Sequence, residues 1–282
     1  MSDNTELTTV RIVVCAKQVV DPLTALTALQ VDQERKKILG PANSSPVING
    51  YDEQALEAAL RIKDAWRDGE CEVLVLSAGA DFNLDVMKGA LAAGADDLIL
   101  VRDAALDTWD SHFLARVLAA AIRHLGGADL VLCGRQASDW DQAQAPLMLA
   151  ELLGWACLTL ARWVEVQARR VQIERVLSDG FQVMESDLPA VVTVTSELGD
   201  LRYPLMRARL MAKKRRPQTL TLSELGVEAP ATPAMEVLKL SLHEETRDCQ
   251  FVESATGAEA GRRLAEVLLD AGLVKPKPPE GA

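Results

Sequence analysis

A chain of 282 residues has room for one large domain or two modest ones around a sizeable core, which excludes a disulfide-stapled miniprotein. Thirty lysines and arginines against 41 aspartates and glutamates leave a net charge of −11, which argues against a nucleic-acid or anionic-membrane binder. With 49 % hydrophobic, 25 % charged and 4 % aromatic residues, the composition is that of a globular core built on Ala, Val and Leu, not of a disordered chain.

The opening MSDNTELTT carries two acids and no basic or apolar block, so no secretory or transit segment is expected there. From residue 10 onward, short apolar runs alternate with helical periodicity. VRIVVCA (10–16), CEVLVLS (71–77), DDLILV (96–101) and DLVLC (129–133) read as strands. Their lack of polar alternation is what a parallel sheet covered on both faces requires. Between them, 53–66 carries Leu56, Ala59, Leu60 and Lys63 at i, i+3, i+4, i+7 spacing, and NLDVMKGALAAG opens on Asn83 as a cap and closes on Gly94. A third helix over 110–125 stops at Gly126-Gly127. Strands separated by helices imply right-handed crossovers, so the fold class is α/β, a doubly wound, mostly parallel sheet.

After a helix around 147–154 the texture changes. Residues 158–166, 170–177 and 181–186 read as extended, with Ser178-Asp179-Gly180 as a hairpin turn, which makes an antiparallel addition to the sheet. LPAVVTVTSE (188–197) is another buried strand, entered through Pro189. A loop, the basic run AKKRR (212–216) and a short element ending in LSELGV follow. EAPATPA (228–234) reads as a linker, and 256–273 as an amphipathic helix with Ala260, Leu264, Val267 and Leu268 on one face. KPKPPEGA is a polar tail. The expected organisation is an α/β domain over 1–227 and an extended C-terminal arm over 228–282.

The five cysteines, Cys15, Cys71, Cys133, Cys157 and Cys249, form no C-x-x-C pair, so neither a zinc site nor a redox dithiol is indicated. Cys15 and Cys133, at strand ends, read as core thiols. The longest apolar stretch, 147–161 with Glu151 inside it, falls short of the roughly 20 residues that cross a bilayer. A soluble, cytoplasmic protein is expected.

In open α/β sheets, ligands bind at the carboxyl ends of the strands near the point where strand order reverses. That rule nominates 15–21, Ser77-Ala78-Gly79-Ala80, 101–104 and 134–144. The SAGA segment offers small residues and free backbone N–H groups for a nucleotide, and it equally describes a plain strand-to-helix turn. The stretch 134–144 is unusually polar for the join between a buried strand and an apolar helix, which marks it as a functional loop. G-x-G-x-x-G, G-x-x-x-x-G-K-[ST] and G-x-S-x-G are all missing, so the common dinucleotide, Walker and hydrolase mechanisms lack their residues. His112, His124 and His243 read as surface residues. Asp139 and Asp141 could pair as acid and base, but with no nucleophile or metal cluster nearby, loop structure or hydrogen bonding to a ligand is the better reading. The residues alone describe a nucleotide-type α/β domain with no evident catalytic apparatus.

At these same segments the sequence resembles the β subunit of electron transfer flavoprotein, over residues 10–227. VCAKQVVD (14–21) is similar to the family's V-K-x-V-P/I-D stretch, INGYDEQALE (48–57) to I-N-P-Y-D-E-x-A-L-E, and ALAAGAD (90–96) to A-L-A-M-G-A-D. DLVLCGRQA (129–137) resembles D-L-V-L-x-G-K-Q-A/S, and AELLGW (150–155) and LPAVVT (188–193) follow in order. Arg202-Tyr203-Pro204 and Met211-Ala212-Lys213-Lys214 resemble R-Y-P/A … M-K-A-K-K.

The resemblance implies a heterodimeric electron carrier of adenine-nucleotide-binding type. An α subunit would supply most of an FAD site shared with this chain, which would itself hold AMP. The pair would relay electrons from flavin dehydrogenases to a membrane quinone reductase. By position, the nucleotide contacts fall on Cys15, on Asn49, Gly50, Tyr51 and Asp52, and on Ala78. They continue along the loop as Gly134, Arg135, Gln136, Ala137, Ser138, Asp139, Asp141, Gln142, Ala143, Gln144 and Ala145. The family docks dehydrogenases through a loop, here near 193–210, that presents a leucine before the R-Y pair. The register makes this Leu198, beside Arg202 and Tyr203; an exposed leucine there would suit an anchor in a partner's pocket, and a loop residue folded back on its own core fits the segment equally.

The chain departs from the family pattern in several places. Gly50 replaces a proline, Trp140 stands inside the D-x-D loop, and Gln142-Ala143-Gln144-Ala145-Pro146 replaces T-G-Q-V-G. Pro22 lies where some relatives place an aromatic near the flavin. Two alternatives stand beside the simple carrier. One is an electron-bifurcating form with a second FAD in place of AMP and NADH as donor. The other is an adenylate-handling enzyme on a related scaffold, for which Lys17-Gln18-Val19-Val20-Asp21-Pro22 is not the required pyrophosphate loop.

Overall fold

Each apolar run of the sequence becomes a strand in the computed structural model, which describes residues 9–242 and 249–275. In chain order the elements are β1 (Thr9–Cys15), β2 (Gln18–Val19), β3 (Gln30–Asp32), β4 (Lys37–Leu39), β5 (Val47–Ile48), α1 (Gly50–Ala65) and β6 (Glu70–Gly79). Next come α2 (Leu84–Met87), α3 (Gly89–Ala93), β7 (Asp97–Arg102), α4 (Ser111–His124), β8 (Leu130–Gly134) and α5 (Ala145–Leu153). Then follow β9 (Ala156–Gln167), β10 (Arg170–Leu177), β11 (Gly180–Asp187), β12 (Ala190–Val194), α6 (Met206–Lys214), β13 (Gln218–Leu220) and α7 (Gly257–Asp270).

Nine strands form one sheet in the order β11-β10-β9-β12-β8-β1-β6-β7-β13. Pairing is parallel from β9 to β13, and β10 and β11 add the antiparallel extension that the hairpin turn announces. Two short pairs, β2-β5 and β3-β4, stand apart.

Both faces of the sheet are covered, which explains the unalternating strands. Val10, Ile12 and Val14 of β1 pack with Leu56, Ala59 and Leu60 of α1, whereas Val13 and Cys15 pack with Phe113, Val117 and Ile122 of α4. Phe113, Ile12 and Leu132 are among the largest fully buried side chains, each worth about 1.5–3 kcal/mol of transfer free energy. The chain runs from β1 to β6 and β7 on one side, then returns to β8 on the other, so strand order reverses between β1 and β8. Asp110 caps α4, accepting from His112 N and Phe113 N, and Asn83 caps α2, accepting from Asp85 N and Val86 N.

One element differs from expectation. Residues 206–214, read as the approach to a basic run, form α6. Their helix formers suffice locally, but only Ala212 is buried, so no apolar stripe announces the helix. The chain also divides into two compact units, 1–241 and 242–282, so residues 228–241 belong with the first. Asp110 Oδ2 accepts from Ala234 N at 2.7 Å, and Gln33 Nε2 donates to Leu240 O at 3.0 Å. In the second unit, α7 is capped by Thr256, which accepts from Glu259 N, and leaves Leu264, Val267 and Leu269 exposed. No helix of the described residues is long and apolar enough to cross a membrane. His243, the first eight residues and the tail beyond Lys275 lie outside the described residues.

Candidate functional site

The nominated segments meet where β1 and β8 run side by side, with Cys15 opposite Cys133 in the parallel register. The β2-β5 pair brings Asn49 against the end of β1, where Asn49 N donates to Lys17 O at 2.8 Å. Asn49 is fully buried, and its side chain does not cap α1. It reaches across to the loop after β8, donating from Nδ2 to Gln136 O at 2.9 Å and accepting from Ser138 N at 3.1 Å. Asp52, three residues on, accepts from Lys17 N at 2.8 Å and Gly134 N at 3.0 Å. Burial pushes its carboxyl up to about 7, against the lowering pull of these two N–H groups and of Asn49. A Cβ on Gly134 would lie 2.5 Å from Asp52 Oδ1 and 2.6 Å from Tyr51 Cβ, so the glycine answers the close approach of α1. Asn49 and Asp52 are therefore a clamp that fixes the ends of β1 and β8, and their polar atoms are spent on backbone.

The clamped loop is folded on itself. Trp140 N and Asp141 N donate to Ala137 O, Gln136 Nε2 donates to Asp141 Oδ1 at 2.7 Å, and the Arg135 guanidinium lies 5.5 Å over the Tyr51 ring. Lys17 Nζ donates to both oxygens of Asp139, at 2.8 and 2.7 Å. With Asp139 held by Lys17 and Asp141 by Gln136, the two carboxylates do not form an acid/base pair. Hydrogen bonding with Cys15, together with burial, raises the Cys133 thiol and keeps it protonated and inert.

Asp141 and Ala143 take positive φ of 51° and 54°, a region that non-glycine residues enter rarely. They lead into α5, whose start has no side-chain cap. Ser138 Oγ and Trp140 Nε1 are buried with no hydrogen-bond partner among the described residues. Unmet donors, an uncapped helix start and left-handed turns are chemistry that suits a phosphate-bearing group.

Not every sequence candidate converges here. Gly50 lines a different cleft, whereas Ala78, next to last in β6, packs against the α4-side cluster that also holds Cys15 and Cys133. Several residues join the site without having been singled out, among them Trp109 of the β7-α4 connection. Trp109 stacks on Trp140 with ring centroids 4.3 Å apart and donates from Nε1 to Lys36 O at 2.6 Å. Lys17, within the nominated 15–21 segment, was legible by its position at a strand end, whereas Trp109 carries no local signal.

In the docking segment Leu198 is 5 % exposed and packs with the α1 side of the core, the folded-back arrangement of the two its loop allowed. It ends a single 3-10 turn, Ser196–Leu198, and its carbonyl accepts from Arg61 Nη1 at 2.9 Å. Arg202 fastens the far end of the loop, donating to buried Glu57 from its backbone N and Nε, each at 3.0 Å, and to Asp64 at 2.7 Å. Burial pushes the Glu57 carboxyl up, but the hydrogen bonds from Arg202 and Arg61 outweigh it and hold it below the ordinary range. The exposed apolar side chains come just after, Tyr203 at 83 %, Leu205 at 77 % and Met206 at 71 %. Leu210 and Met211 on α6 are exposed as well, next to Arg207, Arg209, Lys213 and Lys214. A cleft of about 370 Å³ beside Tyr203 is lined by Gly50, Glu53, Gln54, Asp200 and Arg209.

A family model described as the electron transfer flavoprotein domain matches residues 42–225. The chain is 34 % identical over 210 residues to electron transfer flavoprotein subunit beta of Megasphaera elsdenii, covering 72 % of this chain and 75 % of that one. It is also 34 % identical over 218 residues to the protein of the same name from Thermoanaerobacterium thermosaccharolyticum, covering 77 % and 80 %. To the Caffeyl-CoA reductase-Etf complex subunit CarD of Acetobacterium woodii it is 35 % identical over 193 residues, covering 68 % and 71 %.

Proposed function

The chain belongs to the electron transfer flavoprotein family as a β-subunit-type member, and from that premise we propose that it is one half of a heterodimeric electron carrier. An α subunit is its partner. The two share one FAD, and this chain holds AMP at the β1/β8 crevice. The pair relays electrons from flavin dehydrogenases toward a membrane quinone reductase. This subunit is cytoplasmic and catalyses no reaction by itself.

The observation that carries the nucleotide reading is the pair of unmet buried polar atoms, Ser138 Oγ and Trp140 Nε1, in a loop clamped beside the uncapped start of α5. The sequence carries no glycine-rich dinucleotide turn, which supports a flavin held chiefly by the partner. The redox chemistry is the flavin's when bound, and this chain's residues serve to bind, orient and present it. The exposed Tyr203, Leu205 and Met206, with the cations of α6 behind them, serve as the dehydrogenase-docking face. Leu198 and Arg202 hold that loop in place. Cations next to an apolar patch steer acidic protein faces to one spot on an otherwise acidic chain, an effect that salt weakens.

A second reading puts a second FAD at the crevice with NADH as donor; one relative, CarD, belongs by its name to a caffeyl-CoA reductase–Etf complex. The experiment is co-expression with the α partner, purification of the complex and release of its nucleotides by denaturation. One FAD and one AMP per dimer is the expected result. Two FAD would sink the simple carrier in favour of the second reading, and a chain that captures neither partner nor flavin would sink both.

A further inference from the structure

Trp140 is one of the departures of the nucleotide loop from the family pattern, and it has a structural partner. Its ring stacks on Trp109 at 4.3 Å with an interplanar angle of 24°, joining the loop after β8 to the connection before α4. Lys17 Nζ lies 5.4 Å over the Trp109 ring while holding Asp139. Two residues past Trp140, Gln142 repeats the bridge, accepting from Ser111 Oγ and donating from Nε2 to Met235 Sδ at 2.8 Å. Ala234, next to Met235, donates to Asp110 at 2.7 Å. The crevice between β1 and β8 is thus roofed at its loop end by an aromatic stack and a polar tie, both crossing to the α4 side.

We propose that Trp140 is the specificity residue of the nucleotide site: the Trp109–Trp140 roof admits a nucleoside monophosphate and turns away a flavin dinucleotide. The proposal rests on reading the crevice as an adenine-nucleotide site. A monophosphate ends at its phosphate and needs no path beyond the loop. A dinucleotide is a pyrophosphate diester whose second half must continue past that point, where the stack and the Gln142 bridges stand. Trp140 also offers the ligand a donor, because its buried Nε1–H has no partner within the described residues. Of the loop's own acids, Asp139 is paired with the Lys17 cation, and Asp141 is turned onto Gln136 Nε2.

The test uses the intact heterodimer, wild type and the variants Trp140→Ala, Trp140→Phe and Trp109→Phe, each incubated with excess FAD and AMP, freed of unbound nucleotide and analysed for bound nucleotide. Wild type should keep one AMP beside one FAD. Trp140→Ala should retain AMP about tenfold less well, as expected for loss of a stacked ring and one hydrogen bond, and take up a second FAD. It should also lose the exciton couplet between the two indoles in the circular dichroism spectrum. Trp140→Phe and Trp109→Phe keep a ring in the roof and should go on excluding the second FAD, so the proposal stays testable if the alanine variant does not fold. Equal AMP retention in Trp140→Ala and wild type, or a second FAD in the wild-type dimer, would overturn it while leaving the nucleotide site standing. One FAD and no AMP in every variant would overturn the site reading itself, and this proposal with it.

Discussion

Asparagine at position 52 separates the two tasks of the Asp52 carboxylate, which accepts from Lys17 N and Gly134 N at 2.8 and 3.0 Å while buried at the end of the sheet. Burial lifts its pKa from 3.8 to about 7. A raised acid holds its proton more tightly in the folded chain than in the unfolded one. The native state therefore carries the extra proton between about pH 4 and about pH 7, and stability falls as pH rises through that window. Some three units at about 1.36 kcal/mol each make the fall roughly 4 kcal/mol. Asp52→Asn has no proton to lose, so this part of the slope should vanish. A protonated carboxyl still accepts through both oxygens, but an amide has only one. Whichever of Lys17 and Gly134 faces its Nδ2 is left unpaired, at about 1–3 kcal/mol. The variant should thus lie below wild type at the acid end of the window and, because the wild-type fall of roughly 4 kcal/mol exceeds that deficit, overtake it by about pH 8. Urea unfolding of both proteins across this range, followed by tryptophan fluorescence, measures the two curves. Parallel curves would refute the argument, because they would mean that Asp52 carries no burden from its burial.

Four further outcomes follow from the same geometry. Gly134→Ala drives a methyl into Asp52 and the Tyr51 backbone, and should cost about 1–3 kcal/mol or more, read as a lower melting temperature together with loss of bound nucleotide. Glu57→Ala strands Arg202 and Arg61, both partly exposed, and at about 1–3 kcal/mol for the lost charged hydrogen bonds it should expose the 198–203 loop to protease while the flavin stays bound; unchanged cleavage would remove the fastening role. Leu198→Ala should act through the core, losing about 2–5 kcal/mol. Leu205→Ala and Met206→Ala should instead leave stability within about 0.5 kcal/mol and slow electron transfer from a cognate dehydrogenase, more so at low salt; transfer at wild-type rates would move docking elsewhere.

Much of this molecule is legible from its residues in order. Runs such as VRIVVCA and DLVLC, buried on both sides, read directly as parallel strands, and Asn83, Asp110 and Thr256 cap helices where their side chains say they should. The polar segment 134–144 stands out because such residues join a buried strand to an apolar helix only for a reason. Periodicity and caps are local properties, and local sequence determines them. The tertiary structure decided what each side chain meets. Asn49 and Asp52, which sequence assigns to a ligand, reach 87 and 82 residues along the chain to hold Gln136 and Gly134, because the sheet order seats β8 next to β1. Leu198 lies in the core because Arg61, Glu57 and Arg202 draw its loop onto α1. Trp109 and Trp140 meet only because two connections end on the same edge of the sheet. No spacing along the chain encodes such pairs; they arise when strand order brings distant ends together.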